Sequence, residues 1–323
     1  MDTINPSEYV RRSCRAVMDR AAHVRIHEPA IDAYVRELAA ADPTTPGHDP
    51  ASHYLDGGAG TAAFFLTLDA INFGSGYFPF LRKRPGLSGY FTVASALADR
   101  FRSRGPLAAD ELATISAAEC AELFGQDAGH PVVGELMARF ARALNDLGEL
   151  LAVRYGGSCT ALIEAADGSA ARLIGLLAEM PYFQDVQLHA GEPVAFYKRA
   201  QLAAADLALA FGGAGWGRFE DLADLTIFAD NLVPHVLRVD GILVYSSELA
   251  TRIDSGELIP AGSAEEVELR AAAVTAAELL VAAARRQGLA WTAMDADYRL
   301  WNRGQQPYFK QVKPRHRTRT VFY

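Results

Sequence analysis

One segment of this chain, residues 263–287, is patterned so strongly for helix that it constrains the whole fold. Its apolar residues recur at helical intervals. It opens with Ser263-Ala264-Glu265-Glu266, a capping-box signature in which the first and fourth side chains satisfy each other's free backbone amides. Similar spacing returns along most of the chain, and no segment shows a regular alternation of strand and helix. The sequence therefore predicts a mainly α architecture.

Two further predicted helices bear on function, at residues 192–211 and 219–237. The run 42–53 is dense in Pro, Gly and capping residues, so it predicts a loop. No internal repeat divides the chain. We therefore predict one domain over residues 1–323, with a subdomain boundary near residue 185 as the alternative. Only short strands are expected: Val186–His189, 241–245 and 318–323.

The bulk properties exclude several classes of protein. A net charge of −8 over 323 residues counts against a protein that coats long nucleic acid. No stretch resembles a signal peptide or a membrane span, so we expect a soluble cytoplasmic protein. Cys14, Cys120 and Cys159 are widely spaced and form no CxxC pair, and the eight histidines form no metal-binding motif. Neither a metal nor another cofactor is expected.

Two charged residues stand out from apolar surroundings. Asp230 lies in the apolar run 227–234, where a buried carboxylate must be paired, hydrogen-bonded or shifted in pKa. Lys198 is one of four lysines against 27 arginines, and an ammonium can act as a compact point charge where a guanidinium cannot. A structural interpretation remains open for each residue. Asp230 would cap a helix or pair with Arg238, and Lys198 with Arg199 would form a solvated helix face.

Several separate blocks together resemble the queuosine salvage proteins, the queuosine 5'-phosphate N-glycosylase/hydrolase family. The resemblance covers most of the chain, and the blocks occur in the family's order. They are VRIHEPAI, LDAINFGSGYF, FYKRAQ, FADNLVP with GILVYS, EEVELRAAAVTAAELL, DYRLW and HRTRTVFY.

The resemblance implies a hydrolase that cleaves the N-glycosidic bond of queuosine 5'-phosphate and releases queuine for salvage into tRNA modification. It implies a single helical domain related to helix-hairpin-helix DNA glycosylases, in which a lysine and an aspartate flank the sugar. Asp230 would be the catalytic carboxylate, because bond cleavage develops positive charge at the sugar's C1' and ring oxygen. Lys198 would assist at the sugar or phosphate.

The same resemblance implies residues that recognise the deazapurine base. Asp69, Asn72 and Phe73 would supply an acid, an amide and an aromatic ring, with Asp69 and Asn72 on one helix face. Asp297 and Trp301 also share a helix face, and Asp297 is a candidate partner for the secondary amine of queuine. The alternatives are a satisfied polar pair for Asp69 and Asn72, and core or rim positions for the aromatic residues.

The basic run 310–319 is the one basic cluster in an acidic chain. Its structural interpretation is a solvated terminus or an RNA-contacting arm. The apolar alternation of the following residues indicates instead a docked strand, which would present Arg317 or Arg319 to a 5'-phosphate.

Two rival functions remain open at the level of sequence. One is a DNA or RNA base glycosylase acting on a flipped base, against which the acidic charge counts. The other is a non-enzymatic helical protein that binds a nucleotide. We expect a small-molecule nucleotide substrate, no stable nucleic-acid partner and no membrane, and the oligomeric state stays open.

Overall fold

The computed structural model describes residues 5–41 and 47–323. Most of these residues are helical and few lie in strands, so the predicted mainly α architecture is confirmed. The chain divides into two compact units. Unit 1 comprises residues 5–41, 185–198 and 223–319, and unit 2 comprises residues 47–184, 199–222 and 320–323. One boundary follows residue 184, close to the alternative predicted from sequence, and the single-domain prediction stays a prediction.

The regular elements of the described residues follow one another along both units. In chain order they are α1 (Pro6–Met18), β1 (Val24–Ile26), α2 (Ile31–Ala40), α3 (Ala59–Ala70), α4 (Gly89–Arg104), α5 (Ala109–Thr114), α6 (Ala117–Leu123), α7 (Pro131–Arg154), α8 (Cys159–Ala165), α9 (Ala170–Leu177), β2 (Val186–His189), β3 (Glu192–Ala195), α10 (Lys198–Ala210), α11 (Val233–Val239), β4 (Leu243–Tyr245), α12 (Ser247–Asp254), α13 (Ala264–Arg286), α14 (Ala293–Gln305) and α15 (Pro307–Gln311). Single 3₁₀ turns occupy Glu28–Ala30, Phe78–Phe80, Gly215–Gly217 and Leu222–Asp224.

Helix α13 forms the centre of unit 1. Its alanine-rich sequence leaves few bulky side chains, so α1, α2, α14 and β1 pack against it. Its N-terminus differs in one detail from the predicted capping box. The Ser263 hydroxyl accepts from the Glu266 amide at 3.3 Å, but the Glu266 carboxylate accepts from the amide of Gly262 at 3.1 Å. The reciprocal bond therefore forms one residue earlier than the motif predicts.

Two small antiparallel sheets complete unit 1. Strand β1 pairs with β4, with Val24 opposite Tyr245. Strands β2 and β3 form a hairpin whose two connecting residues, Ala190 and Gly191, both have positive φ, 51° and 83°. Such a turn matches the twist of the strands that it joins. The predicted strand Val186–His189 is confirmed.

Unit 2 is built from α3 to α9 and most of α10. Helix α3 is almost entirely buried and packs against α4, α7 and α8. The long helix α7 packs closely on α5, and Gly148 permits the approach. A Cβ at Gly148 would lie 2.3 Å from the backbone nitrogen of Ala113, which is too close for any residue with a side chain.

The predicted helix over 192–211 is wrong in its first third. Residues Glu192–Ala195 pair with β2, and Tyr197 has a φ of 47°, which a right-handed helix does not permit. The helix therefore begins at Lys198. This correction places the lysine in a first helical turn, where its backbone amide has no partner within the helix.

The predicted helix over 219–237 is also mostly wrong. Apart from the 3₁₀ turn Leu222–Asp224, the chain is irregular up to residue 232, and α11 begins at Val233. Pro234 explains the start, because proline is tolerated only in the first turn of a helix. Asp230 consequently lies in the loop that precedes α11.

The predicted strand over 318–323 is wrong as well. In this part of the described chain a single isolated bridge forms, between Leu258 and Arg317. Residue 319 closes the last segment of unit 1, and residue 320 opens the last segment of unit 2. Of the loop predicted at 42–53, residues 47–53 contain no helix or strand, and residues 42–46 lie outside the described residues.

Candidate active site

The residues predicted from sequence fall in both units. Those in unit 1 are Lys198, Asp230, Asp297, Trp301, Arg317 and Arg319. Those in unit 2 are Asp69, Asn72 and Phe73.

Lys198 is held at a strained junction between β3 and α10. The preceding residue, Tyr197, adopts the left-handed conformation that residues with side chains rarely occupy, and such strain clusters at functional sites. The backbone amide of Lys198 donates to the carboxylate of Asp185 at 3.1 Å, which caps the helix. Lys198 is buried, with 6% of its surface exposed, so its position is set by packing as well as by the cap.

Asp230 is fixed by the backbone that leads into α11. Its Oδ1 accepts from the backbone amides of Leu232 at 2.7 Å and Val233 at 3.1 Å. These bonds form a turn just ahead of the helix, whose N-cap residue is Leu232, so Asp230 is not the N-cap that the structural interpretation predicted. Its Oδ2 accepts no hydrogen bond from the described residues. The predicted pairing with Arg238 is wrong, because Arg238 pairs with Asp254 at 2.9 Å.

Asp297 joins this constellation from α14. It is buried, and its Oδ1 accepts from the backbone amide of Phe228 at 2.9 Å. Burial raises the pKa of Asp297 to about 7, and the negative charge of Asp230 acts in the same direction. The Phe228 amide and the positive charge of Lys198 oppose the rise. Asp230, Asp297 and Lys198 therefore form one electrostatically coupled group in unit 1.

Trp301 lies one helical turn after Asp297 on α14, as the sequence predicted. It is half-buried and packs against the hydrophobic core of unit 1. This is the core or rim position that the structural interpretation predicted, and base recognition by Trp301 stays a prediction.

A buried ion pair, which sequence reasoning did not single out, links the two catalytic candidates. Arg270 of α13 is completely buried and donates to both carboxylate oxygens of Asp185, at 2.8 Å and 2.6 Å. Its Nε donates to the carbonyl of Ala229 at 3.0 Å. One guanidinium thus contacts both the residue that caps Lys198 and the residue preceding Asp230. An arginine in the middle of an alanine-rich buried helix was the available signal.

The basic segment 310–319 contributes three arginines near the end of unit 1. Arg317 donates to the carbonyl of Gly256 at 2.6 Å, so its guanidinium has a structural partner. Arg319 is half-buried. Burial lowers the pKa of the Arg315 guanidinium, while the negative charge of Asp230 acts to raise it. Arg315 was not among the predicted site residues, and phosphate binding by Arg317 or Arg319 stays a prediction.

The predicted base-recognition residues of unit 2 are engaged with one another. Helix α3 ends at Ala70, so Asn72 lies beyond the helix rather than on its face, yet its amide donates to Asp69 at 3.2 Å. Asp69 is fully buried, and Arg199 donates to its carbonyl at 3.0 Å. Phe73 is buried, with Arg199 above its ring. Base recognition by these residues stays a prediction.

Arg199 is therefore not part of a solvated helix face. Only 1% of its surface is exposed, and it donates to backbone carbonyls of unit 2. Within residues 5–41 and 47–323, no group of three or more His, Cys, Asp or Glu side chains is arranged to hold a metal ion. In the same described ranges, no helix combines the length and the apolar character needed to span a membrane.

Comparison with known proteins places these residues in context. A family model described as "Queuosine salvage protein" matches residues 52–323. A protein of Sphaerobacter thermophilus named queuosine 5'-phosphate N-glycosylase/hydrolase is 37% identical over 319 residues, covering 97% of each chain. Proteins of the same name from Dictyostelium discoideum and Mus musculus are 29% and 32% identical. They cover 99% and 73% of this chain, and 100% and 72% of their own lengths.

Proposed function

This chain belongs to the queuosine salvage protein family, and we propose that it hydrolyses the N-glycosidic bond of queuosine 5'-phosphate. The products are queuine, available for salvage into tRNA modification, and ribose 5-phosphate. Relatives from a bacterium and from eukaryotes carry the same activity in their names, and the first of these aligns over nearly the whole chain.

The coupled group of Asp230, Asp297 and Lys198 is the single observation that carries this proposal. Cleavage of an N-glycosidic bond develops positive charge on C1' and the ring oxygen of the sugar. A carboxylate already fixed by hydrogen bonds stabilises that charge without reorganising during the reaction. Asp230 meets this requirement, because two backbone amides hold its Oδ1 and its Oδ2 accepts no hydrogen bond from the described residues.

The other two members of the group have supporting roles in the proposal. Asp297 has a pKa near neutrality, so it is present in both its neutral and its ionised form. The ionised form accepts a hydrogen bond from the secondary amine of queuine. Lys198 supplies a positive charge at the sugar or phosphate. Asp230 acts either by direct attack on C1' or by orienting a water molecule, and both routes use the same carboxylate.

Two finer statements belong to the same proposal. A relationship of fold to the helix-hairpin-helix DNA glycosylases is supported by the mainly helical architecture and by the lysine and the aspartate that both act on Asp297. A cytoplasmic location is supported by the cysteines Cys14, Cys120 and Cys159, all of which carry free thiols.

The direct test is incubation of the purified protein with queuosine 5'-phosphate, followed by chromatography for free queuine and ribose 5-phosphate. We expect both products in equal amounts. Adenosine and guanosine monophosphate serve as comparators, because a general nucleotide hydrolase would cleave them at similar rates. Tight binding of queuosine 5'-phosphate without release of queuine would instead identify a binding protein and refute the enzymatic proposal.

A further inference from the structure

We propose that Arg315 binds the 5'-phosphate of the substrate, an inference that rests on the proposed function and extends it to substrate recognition. The sequence predicts Arg317 or Arg319 in this role. Three observations in unit 1 favour Arg315 instead. Its backbone is anchored beside Asp230, its guanidinium is unpaired within the described residues, and it forms no ion pair with the Asp230 carboxylate.

The backbone of Arg315 is anchored next to the catalytic candidate. The side-chain amide of Asn231 donates to the carbonyl of His316 at 3.1 Å. Asn231 directly follows Asp230, and His316 directly follows Arg315. Both bonded residues are buried, with 5% and 2% of their surfaces exposed. A hydrogen bond shielded from water in this way holds Arg315 and Asp230 in a fixed relation.

The guanidinium of Arg315 differs from those of Arg270 and Arg317. Arg270 is saturated by Asp185 and the backbone, and Arg317 donates to the carbonyl of Gly256. Arg315 is only partly exposed, yet its guanidinium makes no hydrogen bond or ion pair with the described residues 5–41 and 47–323. Five N–H donors partly withdrawn from water gain most from an anionic ligand, which supplies charge-assisted hydrogen bonds.

The relation of Arg315 to Asp230 suits a nucleotide. The negative charge of Asp230 acts on the Arg315 guanidinium, and the two side chains form no ion pair. In a nucleotide the ribose stands between C1' and the 5'-phosphate. A carboxylate at C1' and a cation at the phosphate should therefore be neighbours that do not touch. A guanidinium in that second position can bind two phosphate oxygens at once.

The test compares the nucleotide with its nucleoside. We would measure kcat/KM for queuosine 5'-phosphate and for queuosine with the wild type and with the Arg315→Ala, Arg315→Lys and Arg317→Ala variants. Arg315→Ala is expected to lower kcat/KM for the nucleotide by roughly tenfold to a hundredfold, because only the nucleotide loses charge-assisted bonds. The value for the nucleoside should stay within about twofold, and Arg315→Lys should recover part of the loss.

A matched control separates phosphate binding from net charge. Arg286→Ala removes one positive charge from an exposed ion pair with Asp32 in the same unit, and it should affect neither substrate. Equal losses for nucleotide and nucleoside in Arg315→Ala would overturn the inference, since Arg315 would then act through Asp230 or the fold. The inference would also be overturned, in favour of Arg317, if Arg317→Ala lowered kcat/KM for the nucleotide alone and Arg315→Ala lowered it for neither substrate.

A binding measurement keeps this inference distinct from the proposed function. If the wild type cleaves neither substrate, the proposed function fails, and calorimetry with ribose 5-phosphate then tests Arg315 directly. Under the inference, the wild type binds ribose 5-phosphate more tightly than ribose, and Arg315→Ala removes that difference. Retention of the difference in Arg315→Ala would refute phosphate binding by this residue.

Discussion

At the scale of single residues, the proposed catalytic role of Asp230 rests on how its carboxylate is held. Its Oδ1 accepts from the backbone amides of Leu232 and Val233 where the chain enters α11, and these bonds orient the carboxylate. A structural role for Oδ1 is therefore compatible with the proposed catalytic role. The two bonds fix the carboxylate, and a fixed carboxylate is what charge stabilisation at C1' requires.

We predict that Asp230→Asn folds normally and binds substrate, but releases queuine at least a hundredfold more slowly. Asparagine forms the same side-chain-to-backbone turns as aspartate, so the amide oxygen keeps the bonds to Leu232 and Val233 while the negative charge is lost. Single-turnover kinetics and a thermal unfolding curve would measure the two effects separately.

Asp127→Asn is the matched control for Asp230→Asn, because Asp127 accepts from the backbone amide of Gly129 in a similar turn within unit 2. It should leave the rate unchanged. Near wild-type turnover in folded Asp230→Asn would exclude Asp230 as the catalytic carboxylate.

The second prediction at this scale concerns Asp297. Because its pKa is about 7, the ionised form, which we propose binds the substrate amine, accumulates as the pH rises through neutrality. We expect kcat/KM for queuosine 5'-phosphate to rise between pH 6 and pH 8 in the wild type. The Asp297→Asn variant should bind substrate more weakly, and its kcat/KM should vary less over this range. A wild-type kcat/KM that falls above pH 7 would instead identify the neutral acid as the active form.

At the scale of elements, helix α13 contacts the two segments that carry the candidate residues Lys198 and Asp230. Arg270 contacts Asp185, which caps α10 at Lys198, and the carbonyl of Ala229 before Asp230. A buried ion pair is weak evidence for added stability, because desolvation offsets much of its attraction. A positioning role explains this geometry better. One guanidinium holds two loops in place that are far apart in the sequence.

We predict that Arg270→Lys lowers kcat by roughly tenfold to a hundredfold with a smaller change in KM. A lysine cannot form the same set of bonds to Asp185 and Ala229, and small displacements of catalytic groups are costly. The variant should also lose a few kcal/mol of unfolding free energy. Steady-state kinetics at a temperature where the variant is fully folded would separate the two losses.

Arg303→Lys provides the control for Arg270→Lys, because Arg303 forms a comparable pair with Asp240 at 2.7 Å elsewhere in unit 1. It should reduce stability without lowering kcat in the folded protein. If both variants lose stability and neither loses kcat, Arg270 has only a structural role.

At the scale of the whole molecule, buried histidines set the response to acid. Burial lowers the pKa of His53 and His235 to about 4 and that of His316 to about 3. Each is neutral in the folded chain at pH 5, whereas an unfolded histidine with a pKa near 6.5 binds a proton. The unfolded state therefore binds more protons than the folded state between about pH 4 and pH 6.5, and stability falls as the pH is lowered through that range.

We predict that the unfolding free energy drops by several kcal/mol between pH 7 and pH 5, as measured by urea denaturation. Asp297 opposes the trend, since its raised pKa destabilises the fold as the pH rises from about 4 to 7. His235→Gln should make the drop shallower, because one proton-linked group is removed. If the unfolding free energy of the wild type did not change across this range, the lowered pKa values of the buried histidines would be contradicted.

The sequence by itself determined the helical class, the family and the two charged residues that we propose act in catalysis. Helical periodicity and capping signals are local, so the helix of 263–287 was predictable to within a residue at each end. Lys198 and Asp230 were recognisable because charges among apolar residues need an explanation. Their local structure was misjudged, since the hairpin pairing and the positive φ at Tyr197 depend on neighbours distant in sequence.

Only the tertiary structure decided which residues share an environment. Asp297 joins Asp230 and Lys198, although about 100 residues separate it from the lysine. Arg270 acquires its role from contacts with Asp185 and Ala229, whose positions no pattern within α13 encodes. Hydrogen-bond partners and burial are properties of chain segments brought together by folding, whereas periodicity is a property of one segment. That difference is why the candidate residues could be named from sequence and their arrangement could not.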